Sequence, residues 1–203
     1  MQHSGFWWLI LATTIYGVLH SALASHTLKA WAERRLGLRA RRTYRLFFVA
    51  VAGVSFLPLL ALALWLPDSR IYTIPFPWVF LSIAAQGVSV VCVLLTLAQT
   101  DLRAFLGLRQ VSQPEPLRAR TDPSRLVTSG FYRYVRHPLY TFTLVILWLM
   151  PVVSWNSLAL VTGLTLYLFA GTLLEERKLV DEFGEPYRQY RRSTPMVIPK
   201  IQK

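Results

Sequence analysis

Three stretches of this chain, Phe6–Ala24, Leu46–Leu66 and Phe76–Ala98, are apolar over about twenty residues each, the length a helix needs to cross a bilayer. No other feature restricts the fold as severely. A weaker pair, Leu139–Met150 and Leu158–Leu174, follows. Trp7, Trp8, Trp65, Trp78 and Trp155 flank several of these runs, where amphipathic rings settle at the headgroup level. The expected architecture is all-α. It is an integral membrane bundle of about five transmembrane helices, the last two forming a short hairpin followed by an interfacial cytoplasmic helix. A soluble domain of 203 residues rarely combines 54% hydrophobic residues with a formal charge of +12.

The charges have a direction. All but Arg70 of the 22 lysines and arginines fall after the first, third or fifth run. The first group is Lys29, Arg34, Arg35, Arg39, Arg41, Arg42 and Arg45. The positive-inside rule then puts the amino terminus outside and the carboxyl terminus in the cytoplasm, as expected of a bacterial inner-membrane protein. Basic residues divided among three membrane edges are accounted for by topology and by anionic lipid, so no nucleic-acid partner is expected. Membrane lipid is the expected surroundings. The single cysteine, Cys92, lies within the third run and reads as packing. Met1–Gly5 carries no lysine or arginine and the basic stretch follows the first run, so that run reads as a retained helix rather than a cleaved signal.

The chain reads as one membrane domain, 1–203. Its parts are a three-helix membrane portion (1–110), a polar connector (111–128) with Pro114, Pro116 and Pro123, and a hairpin and tail (129–203). Leu139–Met150 is short. Twelve helical residues span about 18 Å, against about 30 Å of hydrocarbon. The natural solution is a hairpin that starts below the headgroup level and leaves a recess lined by polar loops, where ionisable groups are tolerated.

Arg136-His137-Pro138 stands at the mouth of that helix. Pro138 suits the first helical position, where a missing N–H costs nothing. A helix start with free N–H groups and an arginine beside it suits an anion such as a carboxylate or phosphate. His137 can donate or accept a proton near neutral pH, and Tyr140 lies three residues on, along the same face. Interfacial anchoring accounts for the same residues. Glu175 and Glu176 follow the fifth run; adjacent helix positions differ by about 100°, so one carboxylate can pair with a base while the other faces a cavity. A solvated helix surface with a Glu175–Lys178 pair is the plainer alternative. Gly184 and Pro186 read as terminator and stop, with Tyr187 and Tyr190 as lids over the recess or as membrane anchors. His20, Ser21 and Gln110 are weaker candidates near helix ends. No zinc-spaced Cys/His set and no phosphate-cradling glycine loop is present, so no metal is expected.

"GFYRYVRHPLY" followed by "EERKLVDEFGEPYRQYRRSTPMVIP", Gly130 to Pro199, resembles the carboxyl-terminal core of the isoprenylcysteine carboxyl methyltransferase-like membrane enzymes. "LHSALAS" and "DLRAFLGLRQV" narrow the resemblance to the methanethiol S-methyltransferase branch. The resemblance implies an S-adenosyl-L-methionine-dependent methyltransferase. Its cofactor would lie between Arg136, His137, Pro138 and Tyr140 on one side and Glu175 and Glu176 on the other, with Tyr187 and Tyr190 closing over it. The methyl acceptor implied is a thiol or another small or lipid-like molecule. His20, Arg136 and Glu176 are the catalytic candidates, and His20, Ser21 and Gln110 the substrate-side ones. Many relatives carry a small residue where this chain has Phe142, which bears on pocket shape. A thiol acceptor needs a base, since thiolate is the nucleophile; His20, His137 or a glutamate can serve. The alternatives are an isoprenylcysteine carboxylate-type O-methyltransferase, an NADPH-dependent membrane reductase and a non-catalytic membrane accessory protein.

Overall fold

The computed structural model describes residues 5–100, 102–112 and 126–200. Asp101 and most of the expected connector, 113–125, lie outside the described residues. The element order is α1 (Phe6–Leu23), α2 (His26–Trp65), β1 (Arg70–Thr73), α3 (Trp78–Gln99), α4 (Leu102–Leu106), α5 (Leu108–Ser112), a 3-10 turn (Gly130–Arg133), α6 (Pro138–Trp148), β2 (Val152–Ser154), α7 (Trp155–Phe183) and α8 (Glu185–Ser193). Four of these, α1, α2, α3 and α7, are long and apolar enough to cross a membrane, and α6 is a shorter apolar helix. The chain is an integral membrane protein of helical class. Its contacts fall into two compact units. The first is Met1–Ser69, Asp101–Ser124 and Trp155–Gly163; the second is Arg70–Thr100, Arg125–Ser154 and Leu164–Lys203.

In the first unit α1 packs on α2. Leu9 and Thr13 of α1 are buried, and Gly163 approaches so closely that a methyl group there would come 2.7 Å from the Thr13 side chain. Small residues at such crossings replace the hydrophobic driving force that lipid removes. At the end of α2, the Asn156 amide donates to the carbonyls of Leu66 (3.2 Å) and Ala63 (3.4 Å), which the helix itself leaves open. Ser25 caps the start of α2 by accepting from the Leu28 N–H at 3.2 Å. The basic stretch from Lys29 to Arg45 is not a connecting loop but part of this helix, broken at Gly37 (φ 64°, ψ −147°), a conformation that side chains oppose.

In the second unit α3 packs against α6. The face of α3 that is buried is polar and small: Ser82, Ser89 and Thr96. Its large residues, among them Phe80, Leu81 and Leu94, are exposed, the inverse of a soluble helix and what a hydrocarbon solvent selects. The polar face has a task. At 11 residues α6 spans about 17 Å, and a helix leaves its last carbonyls without donors of its own. Gln86 Nε2 donates to the Ile146 carbonyl at 2.8 Å, and the Ser82 hydroxyl donates to that of Leu149. Trp148 Nε1 donates to Thr165 Oγ1 of α7 at 3.0 Å.

Two details differ from the all-helical expectation. A two-stranded antiparallel ladder pairs Arg70 with Ser154, Tyr72 with Val153 and Thr73 with Val152. The fifth apolar run is not a short arm either: α7 continues for 29 residues, through both glutamates. Gly184, at φ 62°, then turns the chain, and Pro186 sits at the start of α8 instead of stopping a helix, since proline is tolerated in a first turn.

Gln86→Leu removes the donor to Ile146 and strands a carbonyl in an apolar setting. The expected loss is about 1–3 kcal/mol of stability. Thermal unfolding in mild detergent checks it; an unchanged midpoint would mean that the carbonyl finds another donor.

Candidate functional site

The mouth of α6 is fixed before any ligand is considered. Pro138 opens the helix at its first position and is fully buried. The preceding backbone N–H groups do not face an open recess. Arg136 N–H donates to the Pro195 carbonyl at 2.9 Å and His137 N–H to that of Met196 at 3.0 Å. The Thr141 hydroxyl donates to the Val197 carbonyl at 2.6 Å. Residues 195–197 thus form a strap across the helix start; of the N–H groups after Pro138 that spacing offers to an anion, those of Tyr140 and Thr141 donate to the His137 carbonyl, at 3.1 Å each.

Arg136 is committed as well. Its guanidinium makes a bidentate pair with Glu176, Nε to Oε1 at 2.8 Å and Nη2 to Oε2 at 2.9 Å. Nη1 donates to the carbonyl of Arg191 at 3.1 Å and to that of Thr194, at the open end of α8. A cation belongs there, where unpaired carbonyls gather. With both side chains under a tenth exposed, this is a desolvated pair whose net contribution depends on every remaining lone pair being used. They are used: Glu176 Oε1 also accepts from His137 Nε2 at 2.8 Å and from the Tyr187 hydroxyl at 2.7 Å, and Arg191 Nε lies 3.5 Å from Oε2.

Glu175 has a different environment. Its side chain is 46% exposed, and Oε2 accepts from the Tyr140 hydroxyl at 2.7 Å. His137 Nδ1 lies 3.9 Å from that same oxygen, and the His137 ring stacks on Tyr140 at 5.5 Å with 9° between planes. One imidazole therefore stands between two carboxylates. A carboxylate accepts only, so Nε2 carries a proton toward Glu176. Lys178 makes no ion pair with Glu175 among the described residues.

Tyr187 and Tyr190, expected as lids, are internal fasteners. Tyr187 is 1% exposed, with its hydroxyl on Glu176; Tyr190 donates to the Tyr132 carbonyl at 2.5 Å. Burial, then the hydrogen bond to Glu176, raises the Tyr187 hydroxyl well above its usual range. Burial is also the main cause that pushes Tyr190 up to about 12. Phe142 packs edge-on against Phe131 of the 3-10 turn at 5.1 Å. Tyr132, Thr141, Arg191, Thr194 and the strap were not singled out by sequence reasoning. Only their place inside the quoted motifs hinted at them.

The remaining candidates lie in the first unit. His20 stacks on Tyr16 at 5.7 Å, and its ring centre is 4.6 Å from that of Phe48. Ser21 is exposed. Gln110 donates through Nε2 to the Ala104 carbonyl at 3.0 Å, while its Oε1 is buried without a hydrogen-bond partner.

Two tests follow from this geometry. Glu176→Gln leaves the buried Arg136 guanidinium without its counter-charge and is expected to lower the unfolding midpoint by several degrees, a cost of about 3 kcal/mol. Glu175→Gln, half exposed, is expected to leave it within about 0.5 kcal/mol of wild type. Equal effects would contradict the division of labour. A tyrosine whose folded pKa is raised lends stability that is complete below its unfolded pKa, about 10, and is lost as pH rises toward the folded value. Tyr190→Phe should therefore flatten the loss of stability between pH 10 and about 12 seen by alkaline titration.

Residues 7–194 match the family described as protein of unknown function DUF1295. The chain is 34% identical over 192 residues to the methanethiol S-methyltransferase of Crocosphaera subtropica, covering 93% of this chain and 72% of that protein. It is 32% identical over 195 residues to methanethiol S-methyltransferase 1 of Bradyrhizobium diazoefficiens, covering 94% and 65%. It is 30% identical over 204 residues to the enzyme of that name from Pseudomonas deceptionensis, covering 96% and 72%. No solved structure gives a significant match. The chain belongs to the DUF1295 family, in company with proteins called methanethiol S-methyltransferase.

Proposed function

We propose that this protein is an S-adenosylmethionine-dependent methyltransferase that methylates a small thiol, methanethiol or one like it, at the cytoplasmic face of the bacterial inner membrane. The basic residues that follow the first, third and fifth apolar runs support that orientation. The observation that carries the reading is the unequal pairing of the two glutamates. Glu176 is saturated by Arg136, His137 and Tyr187, whereas Glu175 keeps Oε1 without a partner among the described residues and is half exposed. The names of the relatives give the reaction class.

The donor set fits the cofactor. A half-exposed carboxylate beside stacked His137 and Tyr140 rings suits a cationic amine or sulfonium next to an aromatic base. Arg136 has four of its N–H bonds engaged, so the guanidinium left for an anion is Arg191, 57% exposed at the same carboxylate. When bound, S-adenosylmethionine supplies a methyl group on a cationic sulfur, which a thiolate takes by in-line displacement to leave S-adenosylhomocysteine. The chain's part is to hold, to orient and to accept a proton. Glu176 fixes the His137 tautomer, which leaves Nδ1 as the base for a thiol proton. Arg136 acts at one remove, by anchoring Glu176 and the end of α8.

The test is S-adenosylhomocysteine binding by calorimetry on the full chain in mild detergent, followed by methyl transfer to methanethiol. Saturable binding is expected, weakened about tenfold by Glu175→Gln at unchanged midpoint, a loss of about 1.4 kcal/mol. His137→Gln is expected to lower turnover of a thiol at least a hundredfold. A folded sample that binds no S-adenosylhomocysteine would overturn the proposal, and NADPH would then be the ligand to try.

A further inference from the structure

Between α1 and the apolar half of α2 lies a segment that leaves a membrane edge and returns to it. Its start, His26, is three residues beyond the end of α1, an 18-residue span. Its end is tied to the same level, because the Tyr44 hydroxyl donates to the Leu23 carbonyl, at the end of α1, at 2.7 Å. The apolar run of α2 begins two residues later, at Leu46. A straight helix over this stretch would carry its far end about 25 Å into water. It is not straight. Gly37 breaks it with a positive φ, and a side chain at Gly37 would meet nothing within 4 Å. The glycine is there for the change of direction, not to let another element approach.

The exposed surface of this segment is mixed in a particular way. Trp31 is 52% exposed, Leu36 68% and Leu38 62%. Arg34 and Arg35 follow Trp31 by three and four residues, which places them on either side of its ring along the helix surface. Lys29 and Arg39 add further cations. Glu33 is the only acid in His26–Tyr44, and none of Lys29, Arg34, Arg35, Arg39 or Arg42 makes an ion pair among the described residues. Large apolar side chains and uncompensated guanidinium groups on one exposed face are unfavourable in water. They match the headgroup layer, where tryptophan and leucine reach the acyl boundary and arginine meets phosphate in bidentate pairs.

We propose that the face of α2 carrying Trp31, Arg34 and Arg35, continued past Gly37 by Leu38 and Arg39, is a docking surface for the phosphate headgroups of anionic phospholipid. The sequence alone shows a basic stretch that topology and anionic lipid in general account for, with no face or headgroup site assigned. The structure adds the tie at Leu23–Tyr44, the break, and the exposed apolar side chains set among the cations. Two or three arginines near such a surface favour an anionic over a neutral headgroup, and the exposed tryptophan and leucines add contact with the acyl boundary.

The experiment uses the full chain in neutral detergent. Phosphatidylglycerol, phosphatidylcholine of the same acyl chains and inorganic phosphate are added separately. Retained lipid is counted by native mass spectrometry, and the unfolding midpoint is read in parallel. Phosphatidylglycerol is expected to be retained at least tenfold better than phosphatidylcholine and to raise the midpoint by several degrees, with both effects reduced in 0.5 M salt. Arg34→Gln/Arg35→Gln should lose this preference, and Trp31→Ala should weaken retention while keeping the preference. Arg188→Gln/Arg192→Gln, on α8, should behave as wild type. Equal retention of the two lipids, or a preference that survives Arg34→Gln/Arg35→Gln, would overturn the proposal. So would an equal midpoint shift from inorganic phosphate, which would mean a small-anion site instead. S-adenosylhomocysteine binding enters none of these readouts, so this proposal stands or falls separately from the methyltransferase reading.

Discussion

The bidentate pair between Arg136 and Glu176 is the interaction on which the second unit's polar end depends. It joins three elements that the chain makes far apart: the start of α6, the middle of α7 and the last turn of α8. An arginine alone at that place would be a buried charge, and a glutamate alone would be another. Together they are tolerable only because His137, Tyr187 and the carbonyls of Arg191 and Thr194 take up what the pair leaves open. The network leaves Glu176 no unused oxygen, whereas the adjacent Glu175 accepts through Oε2 alone and is half exposed.

The same rule, that a polar group away from water must have a partner, governs the other end of α6. A helix of 11 residues cannot reach both headgroup layers, so its last carbonyls would be stranded. The serine and glutamine on the buried face of α3 supply the donors. Shortness of α6 and polarity of α3 are thus one feature seen from two helices. Neither makes sense without the other.

Much of this was legible in the sequence because lipid imposes a length and a polarity that few other environments do. The runs at Phe6, Phe76 and Leu139 each coincide with a helix to within a few residues, and the run at Leu46 ends with α2, which begins twenty residues earlier, at His26. The segments Arg136–Tyr140 and Glu175–Glu176 meet, as their chemistry invites. What was not legible had no periodic or compositional signal. The continuation of α7 past Leu174 is a lesser case, since Leu179, Val180 and Phe183 do carry an apolar stripe on as far as Gly184. The helical character of Lys29–Arg45 is hidden because its lysines and arginines, though strong helix formers, look like a connecting loop once hydropathy falls. A ladder of three or four residues is too short for alternation to register. Tyr187 and Tyr190 were read as lids because a sequence displays a side chain's chemistry but not its partner. The strap at 195–197 acts through backbone carbonyls, which every residue has.

The strap also sets a clock. Arg136 has its partner Glu176 40 residues later in the chain, and its carbonyl partner at Thr194 58 residues later. At about 5–20 residues per second, the interval between making the arginine and making the last group that holds it is on the order of several seconds. Until Glu176 is made, α6 can already have entered the bilayer with a guanidinium at its mouth and nothing of its own chain to receive it. Water and lipid phosphate are then its only company, so the polar network closes last, after the helices that frame it are made.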